Sequence, residues 1–429
     1  MCSIMKISKE KYKKSINFFL TLIAITLIFR KPCTWLIIMY SLFSLFYVKK
    51  ITFTKEGLKL FSFIAFPLIV EIMFFWNNNS YILGLKAIEK SAVLLIFPFF
   101  IIGNYKRINF YKIVNFYRIL VPIIVLIFYI SYINFDDTYV NIYSKREDYL
   151  WAIGYSFSNY VGMHGPALNM HLSFVSICNF YFIFYKFKTQ SMNFKIINII
   201  CFLISFYLVV FVNSKLALAI LILNIVLIFF IELKSLFSLR KLILVFVLLI
   251  STLSTIIVIY IKNNPYMITK YTEVTFAHMD KIGRLDEVEN PTANVFNSFV
   301  TRVSIWKSTL ELISDNFLLG VGASDSKKEL VEYFKKTDQK FLAQYEFPVH
   351  NQFLDSSLKY GILGFISISI YFFSIFYLWR KTKKIIILCF FILFLSSNLT
   401  DDFMIRFDGI VFSSFWICVF TTERLKKKE

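Results

Sequence analysis

The chain has 429 residues, 58% of them hydrophobic, with 52 phenylalanines and a formal net charge of +20. Repeated apolar runs of about 20 residues exclude a soluble globular protein and predict membrane-spanning helices. In a membrane protein, Lys and Arg indicate which side a loop faces, so the basic charge does not predict nucleic-acid binding. The six cysteines show neither a CxxC pair nor a Cys/His metal spacing, so no disulfide framework or zinc site is predicted.

Twelve membrane spans are predicted along the chain. Because lipid offers the backbone no hydrogen-bond partners, each span is expected to be a helix, which predicts an all-α polytopic membrane protein. The spans lie at about 15–30, 32–48, 57–76, 82–103, 113–133, 166–185, 194–213, 215–233, 241–261, 351–378, 384–398 and 408–421. The basic and then apolar N-terminus lacks a small-residue cleavage site, which indicates an uncleaved first helix. Residues 1–429 are therefore predicted to form a single integral membrane domain.

Lys and Arg residues are concentrated in alternate short loops, such as those at 49–59, 106–112 and 380–384. The positive-inside rule puts these loops and both termini in the cytoplasm. Two long hydrophilic segments, 134–165 and 262–350, then fall on the outer face. The second lies between spans nine and ten and is predicted to carry the catalytic residues.

Charged residues occur near the outer ends of spans three and four. Glu71 lies in span three, and Lys86 and Lys90 share one face of span four. Charges at this depth mark ion-pair partners or a substrate pathway. A pair between Glu71 and either lysine and an anion-binding role for Lys90 are both consistent with the pattern.

Two histidines, His164 and His171, flank the start of span six, seven residues apart. No nearby carboxylate completes a metal-ligand set, so metal binding is not predicted there. The adjacent pairs Asp136-Asp137 and Asp401-Asp402 also do not form a metal cluster, since successive side chains point different ways.

Lys215 is the only charged residue in the very short turn between spans seven and eight. A lone lysine at a helix end commonly extends its ammonium group to the membrane interface. The alternative is that Lys215 faces an outer cavity and holds an anion.

The 262–350 segment contains Arg302, Trp306, Gly320 and Gly322, and ends in His350. Apolar residues at helical spacing, among them Val303, Leu310 and Ile313, predict an amphipathic helix on the membrane surface over 300–319. The two glycines fit a helix end followed by a tight turn.

His350 and Asn351 stand where this hydrophilic segment meets span ten. They are read either as a polar helix cap or as a catalytic base and its neighbour, because an imidazole exchanges a proton near neutral pH. Together with Arg302 and Lys215, and with Lys90, this set suits a pyrophosphate substrate held by cations without a metal or other cofactor.

The chain resembles the O-antigen ligase and polymerase superfamily of bacterial envelope glycosyltransferases. The motif residues are His350-Asn351, Gly361 and Gly364, together with Arg302, Trp306, Gly320-Val321-Gly322 and Ser214-Lys215-Leu216-Ala217-Leu218. Lys215 replaces the arginine that the family has in Ser-Arg-x-Ala-Leu, which changes how that side chain binds phosphate.

The resemblance implies a GT-C-like glycosyltransferase of the bacterial inner membrane that uses a polyprenyl-pyrophosphate-linked glycan as donor. In a ligase the acceptor is a hydroxyl of the lipid A core, and the transfer is inverting and metal-independent. His350 would be the general base on the periplasmic face, and Arg302, Lys215 and Lys90 would hold the pyrophosphate. A repeat-unit polymerase that uses a glycan acceptor shares the motifs. A glycolipid transporter or flippase is the alternative from another class.

Overall fold

The computed structural model describes residues 8–139, 153–185, 190–233, 239–263, 276–296 and 298–427, which are all-helical and contain no strands. The α-helices are α1 Lys9–Thr26, α2 Arg30–Phe46, α3 Lys55–Met73, α4 Tyr81–Ser91, α5 Val93–Phe97, α6 Phe110–Phe135, α7 Ile153–Val161, α8 Gly165–Phe184, α9 Met192–Val212, α10 Lys215–Leu233, α11 Leu239–Asn263, α12 Pro291–Asn294, α13 Phe299–Asp315, α14 Ser326–Lys336, α15 Lys340–Tyr345, α16 Gln352–Thr382, α17 Ile385–Thr400 and α18 Phe407–Lys426. The predicted all-α class is confirmed.

Six of the described helices are long and apolar enough to cross a membrane: α6, α8, α9, α10, α11 and α16. They coincide with predicted spans five to ten. The total of twelve spans and the positions of the loops stay predictions. Span four is not one continuous helix, because α4, α5 and a π-helical turn at Pro98–Ile102 follow one another over the range predicted for it.

The two predicted hydrophilic segments contain helices of their own. The 134–165 segment includes α7, and its residues 140–152 lie outside the described part of the chain. The 262–350 segment includes α12 to α15, while 264–275 and 297 lie outside the described residues. Each segment is therefore at least partly folded.

The membrane helices pack around a large apolar core that is rich in aromatic side chains. Trp416 of α18 is fully buried, and its ring lies 4.8 Å from that of Tyr117 in α6 and 5.2 Å from that of Phe174 in α8. These close aromatic contacts join three helices that are distant in sequence.

Residues 276–349 form a small subdomain with a hydrophobic core separate from that of the bundle, called here the 276–349 subdomain. Its core includes Val300 and Ile305 of α13, Phe334 of α14 and Phe341 of α15. The predicted helix over 300–319 is confirmed as α13, but it ends at Asp315.

One face of α13 packs against the subdomain's own core. Val300, Ser304, Ile305 and Ser308 are buried, whereas Leu310 is 54% exposed. The predicted position of this helix on the membrane surface stays a prediction.

The turn between α3 and α4 ties the bundle to the 276–349 subdomain. The Asn79 N–H donates to Asp325 Oδ2 at 3.0 Å, and the Ser324 N–H donates to Asn78 Oδ1 at 2.8 Å. Asn77 Nδ2 donates to the carbonyl oxygen of Leu319 at 3.2 Å. These bonds satisfy backbone groups of two loops at once and fix their relative position.

Helix α16 is broken at its third turn. Tyr360 (φ −130°, ψ 17°) and Gly361 (φ 59°, ψ −148°) have non-helical backbone angles. A Cβ at Gly361 would lie 2.3 Å from the carbonyl oxygen of Leu318, so only glycine fits both the angle and the space.

The break lets the loop after α13 hydrogen-bond to the α16 backbone. Three N–H groups are involved: Val321 N–H donates to Leu358 O at 2.8 Å, Gly322 N–H to Lys359 O at 3.1 Å, and Ile362 N–H to Phe317 O at 2.8 Å. Backbone groups freed by the break thus find partners in the 276–349 subdomain. The subdomain and the start of α16 are held together as one unit.

We expect Gly361→Ala to lower the free energy of unfolding by about 2–4 kcal/mol, because backbone strain and a steric clash both act there. Gly162→Ala is the matched control, since Gly162 also has a positive φ but a Cβ there meets nothing within 4 Å. Its expected cost is only about 1 kcal/mol. Thermal unfolding of both purified variants in detergent measures the difference. Equal losses in the two variants would contradict the close contact at Gly361.

Candidate functional site

His350 occupies the residue just before the N-cap of α16. Its φ of 54° lies in the left-handed region. Asn351 is the N-cap, and its side-chain oxygen accepts hydrogen bonds from the N–H groups of Phe353 and Leu354. The capping role thus belongs to Asn351, which leaves the His350 imidazole available for other contacts.

The backbone of His350 is anchored by Trp306 of α13. The Trp306 Nε1–H donates to the His350 carbonyl oxygen at 3.3 Å. This bond links α13 of the 276–349 subdomain to the start of α16. Trp306 therefore supports the position of His350.

The His350 imidazole faces the short loop between α17 and α18. Its Nδ1 lies 3.4 Å from Asp401 Oδ1, and the two side chains are 20% and 8% exposed. Asn351 Nδ2 also donates to the Leu399 carbonyl oxygen at 3.0 Å, and the Met404 N–H donates to Gln352 Oε1 at 2.9 Å. The start of α16 is thus joined both to the end of α17 and to the loop that follows it.

Asp401 and Asp402 have opposite electrostatic characters. Burial favours the neutral form of Asp401, but hydrogen bonds from His350 and from Asp402 outweigh it and hold the pKa of Asp401 below its ordinary value. Burial and the neighbouring Asp401 charge raise the pKa of Asp402 well above its ordinary value. Asp401 is therefore the carboxylate of the pair, and it is suited to orient the His350 ring and to stabilise an imidazolium ion.

Arg302 lies close to both aspartates. Burial lowers the pKa of Arg302, and the charges of Asp401 and Asp402 oppose that shift. Its positive charge also interacts with that of Lys215, the first residue of α10. The predicted cations Arg302 and Lys215 are therefore brought together, on the same side of the molecule as His350.

His164, considered above together with His171 as a possible metal-binding pair, also lies near these residues. It interacts electrostatically with Arg406, Asp401 and His350. His171 is fully buried in α8, where its Nε2 donates to the Asp408 carbonyl oxygen at 3.0 Å. His171 therefore has a packing role.

Lys90 has no described contact with these residues, and its predicted role in holding the pyrophosphate stays a prediction. It lines a cavity of about 360 Å³ together with Lys86 and Glu71, and Arg302, Lys215 and His350 are not among the lining residues. Glu71 accepts a hydrogen bond from the Tyr360 hydroxyl at 3.0 Å. The described partner of Glu71 is therefore a tyrosine of α16 and not a lysine of span four.

The four motif glycines shape the backbone around the site. Gly320 and Gly322 have φ of 65° and 88°, in the turn that bonds to α16. A Cβ at Gly364 would lie 1.9 Å from the carbonyl oxygen of Ser356, across the break in α16. Gly361 and Gly364 thus allow the broken helix to fold close to itself and to the subdomain.

His350, Asp401 and Asp402 place their ligand atoms within 4.8 Å of one another, a spacing that suits a metal ion. Arg302 competes for the same carboxylates, because its guanidinium charge acts on both. The expectation that the site needs no metal stays a prediction. Asp401 and Asp402 were considered only as an adjacent pair and not as partners of His350, and Arg406 was missed, because all three lie in a short loop far along the chain from His350.

Residues 200–369 match the family model Wzy_C, described as O-antigen ligase. The match covers the turn with Lys215, all of α13 and the first half of α16. It confirms the resemblance to the O-antigen ligase superfamily. The chain matches no curated protein.

Burial, reinforced by the Arg406 charge, lowers the pKa of His164 to about 4, from about 6.5 in an unfolded chain. Between these values the unfolded chain binds a proton that the folded chain excludes, so the free energy of unfolding should fall as the pH decreases from about 6.5 to about 4. His164→Asn should flatten this dependence of the melting temperature, whereas His278→Asn, at an exposed position, should not. Superimposable pH curves for wild type and His164→Asn would disprove the assignment.

Proposed function

We propose that this chain is a membrane glycosyltransferase that transfers a polyprenyl-pyrophosphate-linked glycan to a hydroxyl of the lipid A core. The match of residues 200–369 to the O-antigen ligase family supports this class of reaction. The observation that carries the proposal is the convergence of Lys215, of Arg302 and His350 from the 262–350 segment, and of Asp401, which are three parts of the chain distant in sequence. A base beside two cations is what glycosyl transfer from a pyrophosphate requires.

His350 acts as the general base in this mechanism. Its imidazole takes the proton of the acceptor hydroxyl while that oxygen forms a bond to the anomeric carbon of the donor glycan. Attack from the side opposite the pyrophosphate inverts the anomeric configuration. Asp401, 3.4 Å from Nδ1, orients the ring and stabilises the imidazolium ion that forms. Nε2 is then the nitrogen that faces the acceptor.

Arg302 and Lys215 stabilise the leaving group. As the bond between the anomeric carbon and the pyrophosphate oxygen breaks, the electron pair moves to the pyrophosphate. Two cations that repel each other in the free protein are suited to receive an anion between them. Lys215 provides a point charge at the position where the family has arginine, so Arg302 supplies the forked hydrogen bonds.

The proposed location is the bacterial inner membrane, with both termini in the cytoplasm and His350 on the periplasmic face. The apolar helices and the family match support a multi-pass protein of that membrane. A donor and an acceptor that are both lipid-anchored would then reach the site from the bilayer. A repeat-unit polymerase that uses a second carrier-linked glycan as acceptor is an outcome of the test below.

We expect His350→Ala to reduce glycan transfer by about 10²–10⁴-fold, because the acceptor hydroxyl loses its base. A deletion strain rescued with this variant should lack long chains on its lipid A core and should accumulate carrier-linked glycan. The His278→Ala rescue is the matched control and should restore the wild-type ladder. Single repeat units on the core in the deletion strain would indicate a polymerase instead. Normal chains in the His350→Ala rescue would remove His350 from the mechanism.

Removal of divalent cations should leave the transfer rate within about twofold of its initial value, because Arg302 and Lys215 supply the positive charge that a metal would otherwise provide. The measurement compares purified enzyme before and after treatment with EDTA, with Mg²⁺, Mn²⁺ and Ca²⁺ added back separately. Loss of activity that one of these ions restores would instead assign a metal to His350, Asp401 and Asp402.

A further inference from the structure

The 360 Å³ cavity lies beside the site, because residues on both sides of His350 in the sequence line it. Pro348 and Val349 precede the histidine, Gln352 follows it, and all three line the cavity. Asp402, the neighbour of the His350 partner Asp401, lines it as well. The cavity is therefore adjacent to His350 and Asp401. Its volume lies in the range of small-ligand binding sites.

Asp402 is the most buried polar residue in the lining of the cavity. It is fully buried, and neither of its carboxyl oxygens has a hydrogen-bond partner in the described part of the chain. A buried polar group without a partner is costly, which makes Asp402 a strong site for a hydroxyl group of a ligand. Lys359 and Asp355, also in the lining, are paired with each other at 2.6 Å.

The lining of the cavity also contains two lysines of α4. Lys86 and Lys90 lie one helical turn apart on α4, are exposed, and both line the cavity. Neither ammonium group has an ion pair or a hydrogen bond with another described residue. The same helix exposes Ile82 (69%) and Leu85 (57%). Exposed apolar side chains beside two lysines suit an anionic ligand that carries a membrane anchor.

We propose that this cavity binds the acceptor, and that the acceptor is a sugar carrying an anionic group such as phosphate or carboxylate. The anion lies at Lys86 and Lys90, and the sugar hydroxyls reach Asp402, which brings one of them next to His350. Lys90 thus binds the acceptor, separately from the pyrophosphate at Arg302 and Lys215. This assignment rests on the proposed function, because it gives that reaction its second substrate.

The first test is binding, which does not depend on catalysis. The full-length protein in neutral-lipid nanodiscs is titrated with glucose 6-phosphate and with glucose, followed by saturation-transfer NMR, and inorganic phosphate is measured by its displacement of bound glucose 6-phosphate. We expect the sugar phosphate to bind more tightly than either of the other probes. Lys86→Gln/Lys90→Gln should weaken its binding by about tenfold or more. The matched control Lys335→Gln/Lys336→Gln removes two exposed charges of α14 that do not line the cavity, and should leave binding unchanged.

Asp402 is tested by shape-matched variants. Asp402→Leu fills a similar space without hydrogen bonding and should weaken glucose 6-phosphate binding, whereas Asp402→Asn keeps a donor and an acceptor and should retain it. In the transfer reaction, Asp402→Leu should raise the KM for the acceptor and leave the KM for the donor unchanged. A merely structural role would move both constants together.

Several results would overturn the cavity assignment. These are inorganic phosphate binding as tightly as the sugar phosphate, an unaffected Lys86→Gln/Lys90→Gln variant, or wild-type dissociation constants weaker than about 10 mM. The same preparations are assayed for glycan transfer, which separates the two claims. Wild-type transfer without this binding pattern would reject the cavity alone. The binding pattern without any transfer would reject the proposed reaction and leave a sugar-phosphate site.

Discussion

The break in α16 at Gly361 is the constraint on which the arrangement of the site depends. A continuous helix would keep its backbone groups to itself, and the 276–349 subdomain would have no fixed attachment there. The broken helix instead exchanges hydrogen bonds with residues 317–322. The subdomain is thereby held against the start of α16, and α13 brings Trp306 to the His350 backbone and Arg302 to Asp401, the partner of His350.

The site combines charges that the fold alone does not require. Arg302 and Lys215 repel each other, the carboxyl oxygens of buried Asp402 have no hydrogen-bond partner among the described residues, and Asp401 is held as a carboxylate beside His350. Such a set costs stability in the free protein and is offset by the packing of the helices around it. Each unfavourable feature is relieved by one part of the proposed reaction: the pyrophosphate between the cations, the acceptor hydroxyl at Asp402, and the proton on the imidazole.

Much of this could be predicted from the sequence, and the remainder has physical reasons for being hidden. Apolar runs predict helices because lipid leaves the backbone no alternative, and α8 to α11 follow them closely. The motif at His350 and Arg302 was visible because its residues lie within one segment of the chain. Asp401 was not, since a loop contact 51 residues away leaves no local pattern. The same reason hid the contact of Glu71 with Tyr360, because a helix period gives the face of a residue but not its neighbour.

The most direct test of the account is the position of the donor pyrophosphate. A cryo-EM structure of the full-length protein in nanodiscs with a non-hydrolysable polyprenyl-pyrophosphate analogue would provide it. The account predicts pyrophosphate oxygens within hydrogen-bond distance of Arg302 and Lys215, with the anomeric carbon facing the His350 imidazole. A pyrophosphate bound instead at Lys86 and Lys90, away from His350 and Arg302, would contradict both the assignment of the cations and the direction of the transfer.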